Sequence, residues 1–177
     1  MASEKLFALW LMGPTSSGKT TIAKTLCGLL QEKNIPVMHY DGDEIRNLFG
    51  SNLGFEREDR LKVVKALVYF SNKMLKSGIN AVVSALTANS DARRYVAENL
   101  HNIIRCYVKC SIEVCAQRDP KGLYKMAQQG SIGTLIGFNS EYLPPDNPDI
   151  TLDAEKYSPD INAETIIKYL SRRGYLK

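Results

Sequence analysis

The sequence predicts an α/β fold in which a mainly parallel sheet carries helices on both faces. Three observations point to it. Leu6–Met12 is a continuous apolar run, as expected of a strand covered on both sides. Further short apolar runs alternate along the chain with segments whose apolar residues recur every three or four positions, which is the βαβ rhythm of such sheets. Glycine, asparagine, glutamine and proline then gather in one stretch, Lys121–Pro148, so a lid over about 121–148 is expected rather than another layer. At 177 residues, one compact domain spanning 1–177 is expected.

Taken in order, Leu6–Met12 is the first strand. Gly18–Lys33 is a helix with Ile22, Leu26, Leu29 and Leu30 on one side, and Pro36–Tyr40 is a second strand. Arg57–Lys76 shows helical spacing through Leu61, Val64, Leu67, Val68 and Leu75, and Gly78 follows as a C-terminal cap. Ile79–Ser84 is a third strand, Ala92–Leu100 a helix, Ile103–Lys109 a fourth strand and Ile112–Gln117 a short helix. Ile150–Leu152 is the expected last strand and Ala163–Leu170 the closing helix. Ligands of such folds bind beyond the carboxyl ends of the strands, so the loops after Met12 and Tyr40 are the first places to look.

The loop after Met12 reads Gly13-Pro14-Thr15-Ser16-Ser17-Gly18-Lys19-Thr20, which fits G-x-x-x-x-G-K-[ST] at every position. Glycines let successive backbone N–H groups turn inward to cradle phosphate oxygens, and the following helix adds the partial positive charge of its N-terminus. Lys19 is placed to reach the terminal phosphates and the Thr20 hydroxyl to ligate Mg²⁺, so ATP and Mg²⁺ are the expected cofactors. The candidate nucleotide-binding residues run from Gly13 to Thr20 and include the adjoining Thr21. With this loop, the fold becomes a P-loop NTPase-type three-layer arrangement.

The loop identifies the nucleotide but leaves the reaction open. A GTP switch would carry N-K-x-D, and the chain has none. A motor would carry an apolar strand ending in Asp, whereas the third strand ends in Ser84. The second strand instead leads into Asp41-Gly42-Asp43, where an acid can order Mg²⁺ and another can take a proton from an acceptor hydroxyl. An isolated Asp-Gly-Asp would equally be a simple turn.

Composition narrows the partners. The chain is 44% hydrophobic and 24% charged with a net charge of +4, ordinary for a globular protein. The charge suits a phosphate cleft and does not call for nucleic acid. The first apolar run is too short for a signal peptide or a membrane span, so a cytoplasmic location without a membrane partner is expected. Cys27, Cys106, Cys110 and Cys115 form no C-x-x-C pair and the two histidines, His39 and His101, lie far apart, so free buried thiols are expected rather than a zinc site.

The Asp-Gly-Asp is not isolated. Asp41-Gly42-Asp43-Glu44-Ile45-Arg46, Asn52-Leu53-Gly54-Phe55 with Asp59-Arg60, Arg118-Asp119-Pro120-Lys121-Gly122-Leu123-Tyr124 and Pro145-Asp146-Asn147-Pro148 together resemble the adenylyl-sulfate kinases, in register from about Leu9 to Ile150. That family uses MgATP to phosphorylate the 3′-hydroxyl of adenosine 5′-phosphosulfate (APS). The resemblance implies Asp43 as general base and Asp41 beside the metal with Thr20. It implies Arg46 and Arg60 on the acceptor's 5′-phosphosulfate, for which planar guanidinium groups are suited. It also implies Phe55 on one face of the acceptor base, Arg118 and Pro120 at the ATP adenine, and Lys121–Asn139 as the closing lid. Thr87, Lys121 and Leu135 complete the acceptor side, and a homodimer is implied by the family's habit.

Several acceptor-side positions depart from the family. Its I-S-P-Y-R run after the third strand reads Leu86-Thr87-Ala88-Asn89-Ser90 here, keeping a hydroxyl at Thr87 but losing the Pro, Tyr and first Arg; Arg93 stands for a later arginine. Val63 replaces an Asn that contacts the acceptor. The lid run K-G-F-T-G reads Gly133-Thr134-Leu135-Ile136-Gly137, so the second aromatic of the base clamp is Leu135 and a lysine is lost. Two acceptors fit this pattern: APS in a divergent pocket, or another nucleotide with a 5′-linked anion, such as the cytidine 5′-diphosphoramidate of capsule phosphoramidate pathways. A third reading, a regulatory module that binds ATP without turnover, is opposed by the intact Lys19, Thr20, Asp43, Arg46 and Arg60.

Overall fold

The computed structural model describes residues 5–50 and 53–176. Asn52, part of the family-like Asn52–Phe55 run, lies outside them. The sheet contains five strands: β1 (Ala8–Met12), β2 (Val37–Asp41), β3 (Asn80–Ala85), β4 (Ile103–Lys109) and β5 (Ile150–Asp153). Their spatial order is β2-β3-β1-β4-β5 and every pairing is parallel. Leu9 pairs with Val82 on one side and Ile104 on the other, so β1 lies at the centre and its C-terminal loop opens at the middle of the sheet edge.

Alternation along β1 explains its unbroken apolar run. Leu9 and Leu11 face α1 (Lys19–Glu32) and α7 (Pro159–Arg172), packing with Ile22, Leu26, Ile166 and Leu170. Ala8, Trp10 and Met12 face the opposite layer, α3 (Arg57–Lys76) and α4 (Ser90–Asn99), packing with Val64, Leu67, Val68 and Val96. Side chains of a strand point alternately to the two faces, so a strand covered on both needs an apolar residue at every position. A smaller cluster of Cys110, Cys115, Tyr124, Ala127 and Leu135 lies under the segment after β4. All four cysteines are free and buried.

The expected elements are present with small shifts, and three differences have local causes. Gly42–Leu48 forms a helix, α2, where a turn was the alternative, because the Asp41 carboxylate caps it by accepting from the Asp43 N–H at 2.8 Å. Helix α7 begins at Pro159 rather than Ala163, because Ser158 accepts from the Ile161 N–H and Pro159 sits in the first turn. The Lys121–Pro148 stretch contains a short helix, α6 (Leu123–Gln128), anchored by the buried Tyr124. The remaining helix, α5 (Ile112–Arg118), starts at a Ser111 cap.

Leu67 is fully buried in the α3 layer. Leu67→Ala is expected to cost about 3 kcal/mol, from lost burial plus the cavity left behind. Urea unfolding checks this: the midpoint falls while the slope stays constant.

Candidate functional site

One large cavity of about 1190 Å³ opens along the carboxyl ends of the strands. Its floor is the loop between β1 and α1. Gly13 approaches β4 so closely that an added Cβ would stand 2.5 Å from the Val108 carbonyl oxygen. Gly18 caps α1 at φ 94°, in the left-handed region that glycine adopts without steric cost. Thr15 to Thr21 line the cavity, whereas Gly13 and Pro14 hold the loop from behind. Ser17 is fully buried, and the Ser16 hydroxyl is buried without a protein partner.

Lys19 is folded back onto this loop. Its ammonium donates to the Gly13 carbonyl at 3.0 Å and the Pro14 carbonyl at 2.5 Å. Burial in the loop pulls its pKa down to about 8, against the weaker opposing effects of Cys115, Asp43 and Asp41. A cation held this way lacks a full counter-charge, which an incoming polyphosphate would supply.

Asp41, the last residue of β2, joins three segments. Its Oδ2 accepts from the Thr20 hydroxyl at 2.6 Å and the Ser84 hydroxyl at 2.7 Å, and its Oδ1 accepts the Asp43 N–H. Burial alone would raise the Asp41 carboxyl, but these hydrogen bonds outweigh it and hold the group below the ordinary carboxylate value. With its proton given to Asp41, Thr20 keeps oxygen lone pairs for a cation. Among the described residues no three His, Cys, Asp or Glu side chains converge as a metal cage. Thr20 beside one carboxylate is instead the sparse oxygen set that suits Mg²⁺ sharing its shell with phosphates and water. The site therefore fits MgATP.

Asp43 and Arg46 lie one turn apart in α2, so both face the cavity from the same side of that helix. The Asp43 carboxylate is ion-paired with Lys121, both groups being largely solvent-exposed. Arg46 stacks on the Phe55 ring with its guanidinium carbon 4.7 Å from the ring centroid, and donates to the Gly54 carbonyl. Arg60 lies 5.9 Å from the same centroid and donates to the carbonyls of Phe55 at 2.7 Å and Thr134 at 2.9 Å. Burial lowers the pKa of both arginines, and the charge of Arg46 lowers that of Arg60 further. Two guanidinium groups facing one aromatic ring at the cavity wall are chemically suited to an anion attached to a flat ring.

The other expected residues meet at the same cavity. Arg118, Pro120, Lys121, Thr87 and Leu135 all line it. The Thr87 hydroxyl accepts from the Trp10 indole N–H at 2.9 Å, so part of its capacity is used to hold the wall. Leu135 is buried within the cluster that also holds Cys110, Cys115, Tyr124 and Ala127. Arg93 does not line the cavity: it donates to the carbonyls of Thr87, Leu143 and Pro144, tying that segment to the end of β3. Val63 is a buried apolar wall residue.

The sequence reading missed the loop after β5. Ala154 through Pro159 line the cavity beside Arg118, which donates to the Ala154 carbonyl at 2.7 Å. Asp153 shapes this loop by accepting the Glu155 and Lys156 N–H groups, and Asn162 pins it through the Asp153 and Tyr157 carbonyls. The readable signal was the Ser158-Pro159 helix start a few residues after the last strand.

Lys19 leads to a pH prediction. Above about pH 8 the lysine of the free protein is neutral, whereas bound phosphate favours the ammonium, so binding takes up a proton. ATP affinity is expected to fall above about pH 8, by up to roughly tenfold per unit. Calorimetry in two buffers of different ionisation enthalpy measures both effects; constant affinity from about pH 7 to 9.5 would contradict this account of the loop.

Comparison with known proteins identifies the family. The sequence model of the adenylylsulphate kinase family matches residues 5–153. A probable adenylyl-sulfate kinase of Pyrococcus abyssi is 36% identical over 170 residues, covering 96% of this chain and 98% of that protein. The adenylyl-sulfate kinase of Halothermothrix orenii is 33% identical, covering 99% and 95%. A Mycobacterium tuberculosis APS kinase, solved in complex with AMPPNP and APS, superposes with a TM-score of 0.86 at 29% identity, covering 94% of this chain and 98% of that one. A gluconokinase of Sinorhizobium meliloti, 17% identical with a TM-score of 0.64, shares the fold. With a matching family model over most of its length and the phosphate loop, acid pair and arginine pair around one cavity, the chain belongs to the adenylylsulphate kinase family.

Proposed function

We propose that this protein is an ATP-dependent nucleotide kinase that transfers the γ-phosphoryl group of ATP to the 3′-hydroxyl of adenosine 5′-phosphosulfate, giving ADP and 3′-phosphoadenosine 5′-phosphosulfate. The observation that carries the reading is the convergence of Arg46 and Arg60 on Phe55, in the same cavity as the phosphate loop and Asp43. On this reading a receptor for an anionic nucleotide stands beside the receptor for a triphosphate.

Each residue then has a physical task. Backbone N–H groups of the loop from Thr15 to Thr20 hold the ATP phosphates, and Lys19 exchanges its loop carbonyls for phosphate oxygens. Thr20 and Asp41 are the residues that would hold Mg²⁺, which neutralises charge on the phosphates when bound. Arg118, Pro120 and the loop after β5 form the adenine edge. Arg46 and Arg60 grip the acceptor's 5′ anion while Phe55 stacks on its base. Asp43 accepts the proton of the acceptor hydroxyl as that oxygen bonds to phosphorus and the bond to the ADP oxygen breaks. Lys121 must yield its ion pair with Asp43 for that proton to be taken.

A second acceptor reading rests on Val63 and Leu135, both cavity-lining and both apolar where the family carries an amide and an aromatic. A smaller, less hydrogen-bonded wall suits a pyrimidine, and cytidine 5′-diphosphoramidate carries the required 5′-linked anion. Around the site, a single kinase domain over 1–177 with Lys121–Pro148 as its lid is the arrangement we favour. The exposed Leu48 and Phe49 offer an apolar face for a homodimer contact. Four free, buried thiols suit a reducing cytoplasm, and no helix among the described residues is long and apolar enough to cross a membrane.

Asp43→Ala is expected to lower kcat by about 10²–10⁴-fold while leaving ATP binding intact; unchanged turnover would remove Asp43 as the base. Arg60→Ala is expected to raise the acceptor KM by about 10- to 100-fold, the loss of charge-assisted hydrogen bonds. Phosphate transfer to APS, cytidine 5′-diphosphoramidate and simple nucleotides in parallel identifies the acceptor. Turnover with the cytidine nucleotide and none with APS at saturating ATP would replace the first reading by the second; none with any acceptor would favour a binding module. Limited proteolysis between Gly130 and Asn139 is expected to be suppressed by both nucleotides together, and equal cleavage with and without them would argue against a closing lid.

A further inference from the structure

His39 takes no part in the site as described, yet it ends a chain of hydrogen bonds that leads into it. It lies on β2, two residues before Asp41 and on the same face of the strand, and it is half-buried. Parallel pairing with β3 sets His39 beside Val82 and Asp41 beside Ser84. From there the imidazole Nε2 reaches the Ser84 hydroxyl oxygen at 2.9 Å.

The direction of these bonds follows from counting protons. Ser84 has one hydroxyl proton and two neighbours that could take it, Asp41 Oδ2 at 2.7 Å and His39 Nε2 at 2.9 Å. The ionised carboxylate is the stronger acceptor and the distance is shorter, so the proton goes to Asp41. His39 must then carry hydrogen on Nε2 and donate to the Ser84 lone pair. An imidazole and an imidazolium both have that N–H, so the hold does not depend on the charge of the ring. Ser84 is thereby fixed as a donor to Asp41, whose Oδ2 is shared between Ser84 and Thr20.

We infer that His39 is a positioning residue for the metal–nucleotide site, orienting Asp41 and Thr20 through Ser84. The inference rests on the kinase reading, since that reading places the metal at Thr20 and Asp41. Partners bonded directly to a metal ligand, as Ser84 is to Asp41, commonly change metal affinity by about 10- to 100-fold when removed, and His39, one bond further out, is expected to act at the low end of that range.

The test measures metal binding apart from turnover. Mn²⁺ serves as the probe, titrated by electron paramagnetic resonance into the full chain with a non-hydrolysable ATP analogue. Affinity for the analogue alone is measured calorimetrically in EDTA. His39→Phe keeps a ring on the strand but removes the donor; His39→Gln restores an N–H near the place of Nε2. His39→Phe is expected to weaken Mn²⁺ binding about tenfold, with affinity for the metal-free analogue within about twofold of wild type and His39→Gln recovering most of the loss. In a Ser84→Ala background, His39→Phe is expected to add less than about twofold, since the shared path is already broken. Wild-type Mn²⁺ affinity in His39→Phe would overturn the inference. So would a loss that His39→Gln does not recover, or one that adds fully to Ser84→Ala. A wild-type chain that binds no Mn²⁺ with the analogue would instead overturn the kinase reading on which the inference stands.

Discussion

The Asp41 carboxylate is the point on which the site depends. It closes the phosphate-loop side through Thr20, the third strand through Ser84 and the start of α2 through the Asp43 N–H. One side chain thus sets the relative positions of the phosphate loop, Asp43 and the helix that carries Arg46. A buried carboxylate would be costly alone; three donors make its ionised form the stable one, and they do so only when all three segments are in place.

The sheet makes that convergence possible. In the order β2-β3-β1-β4-β5, β3 separates β2 from β1, so Asp41 and Thr20 approach over the end of β3 rather than as direct neighbours. Ser84 at the end of β3 fills the intervening space with a small hydroxyl that donates to the acid. A larger side chain there would separate the phosphate loop from the acid pair. The apolar layers on both faces fix the strands that bring these ends together, which links the leucines and valines of the core to the chemistry at the edge.

The acceptor side is built differently. Its charges come from α2 and α3, and its cover comes from the segment after α5, joined through the Arg60 bond to the Thr134 carbonyl. Several contacts there are exposed, including the Lys121–Asp43 pair and the Phe55 ring. Exposed ion pairs contribute little to stability, so this half can rearrange around a ligand at small cost, whereas the buried Asp41 cluster cannot. Under the proposed reaction, the donor would meet a fixed cradle and the acceptor an adaptable one.

Much of this was legible in the chain. The phosphate loop and the strand and helix order follow from local spacing and turn chemistry, whereas Asp43, Arg46, Phe55 and Arg60 stood out only through the family-like pattern, and the structure brings them to one cavity. What the tertiary structure alone decided depends on chain ends that meet across the sheet. Ser84 was read as the absence of an expected acid and is the donor that orders one; His39 was an isolated histidine and is the support behind it. Arg93 stood among the acceptor-side positions and holds backbone carbonyls, while the loop after β5 joined the cavity with only its Ser158-Pro159 helix start as a signal. Periodicity and motif spacing describe neighbours along the chain, whereas hydrogen bonds spanning 43 to 45 residues, such as those of Ser84, exist only once parallel pairing has set the register.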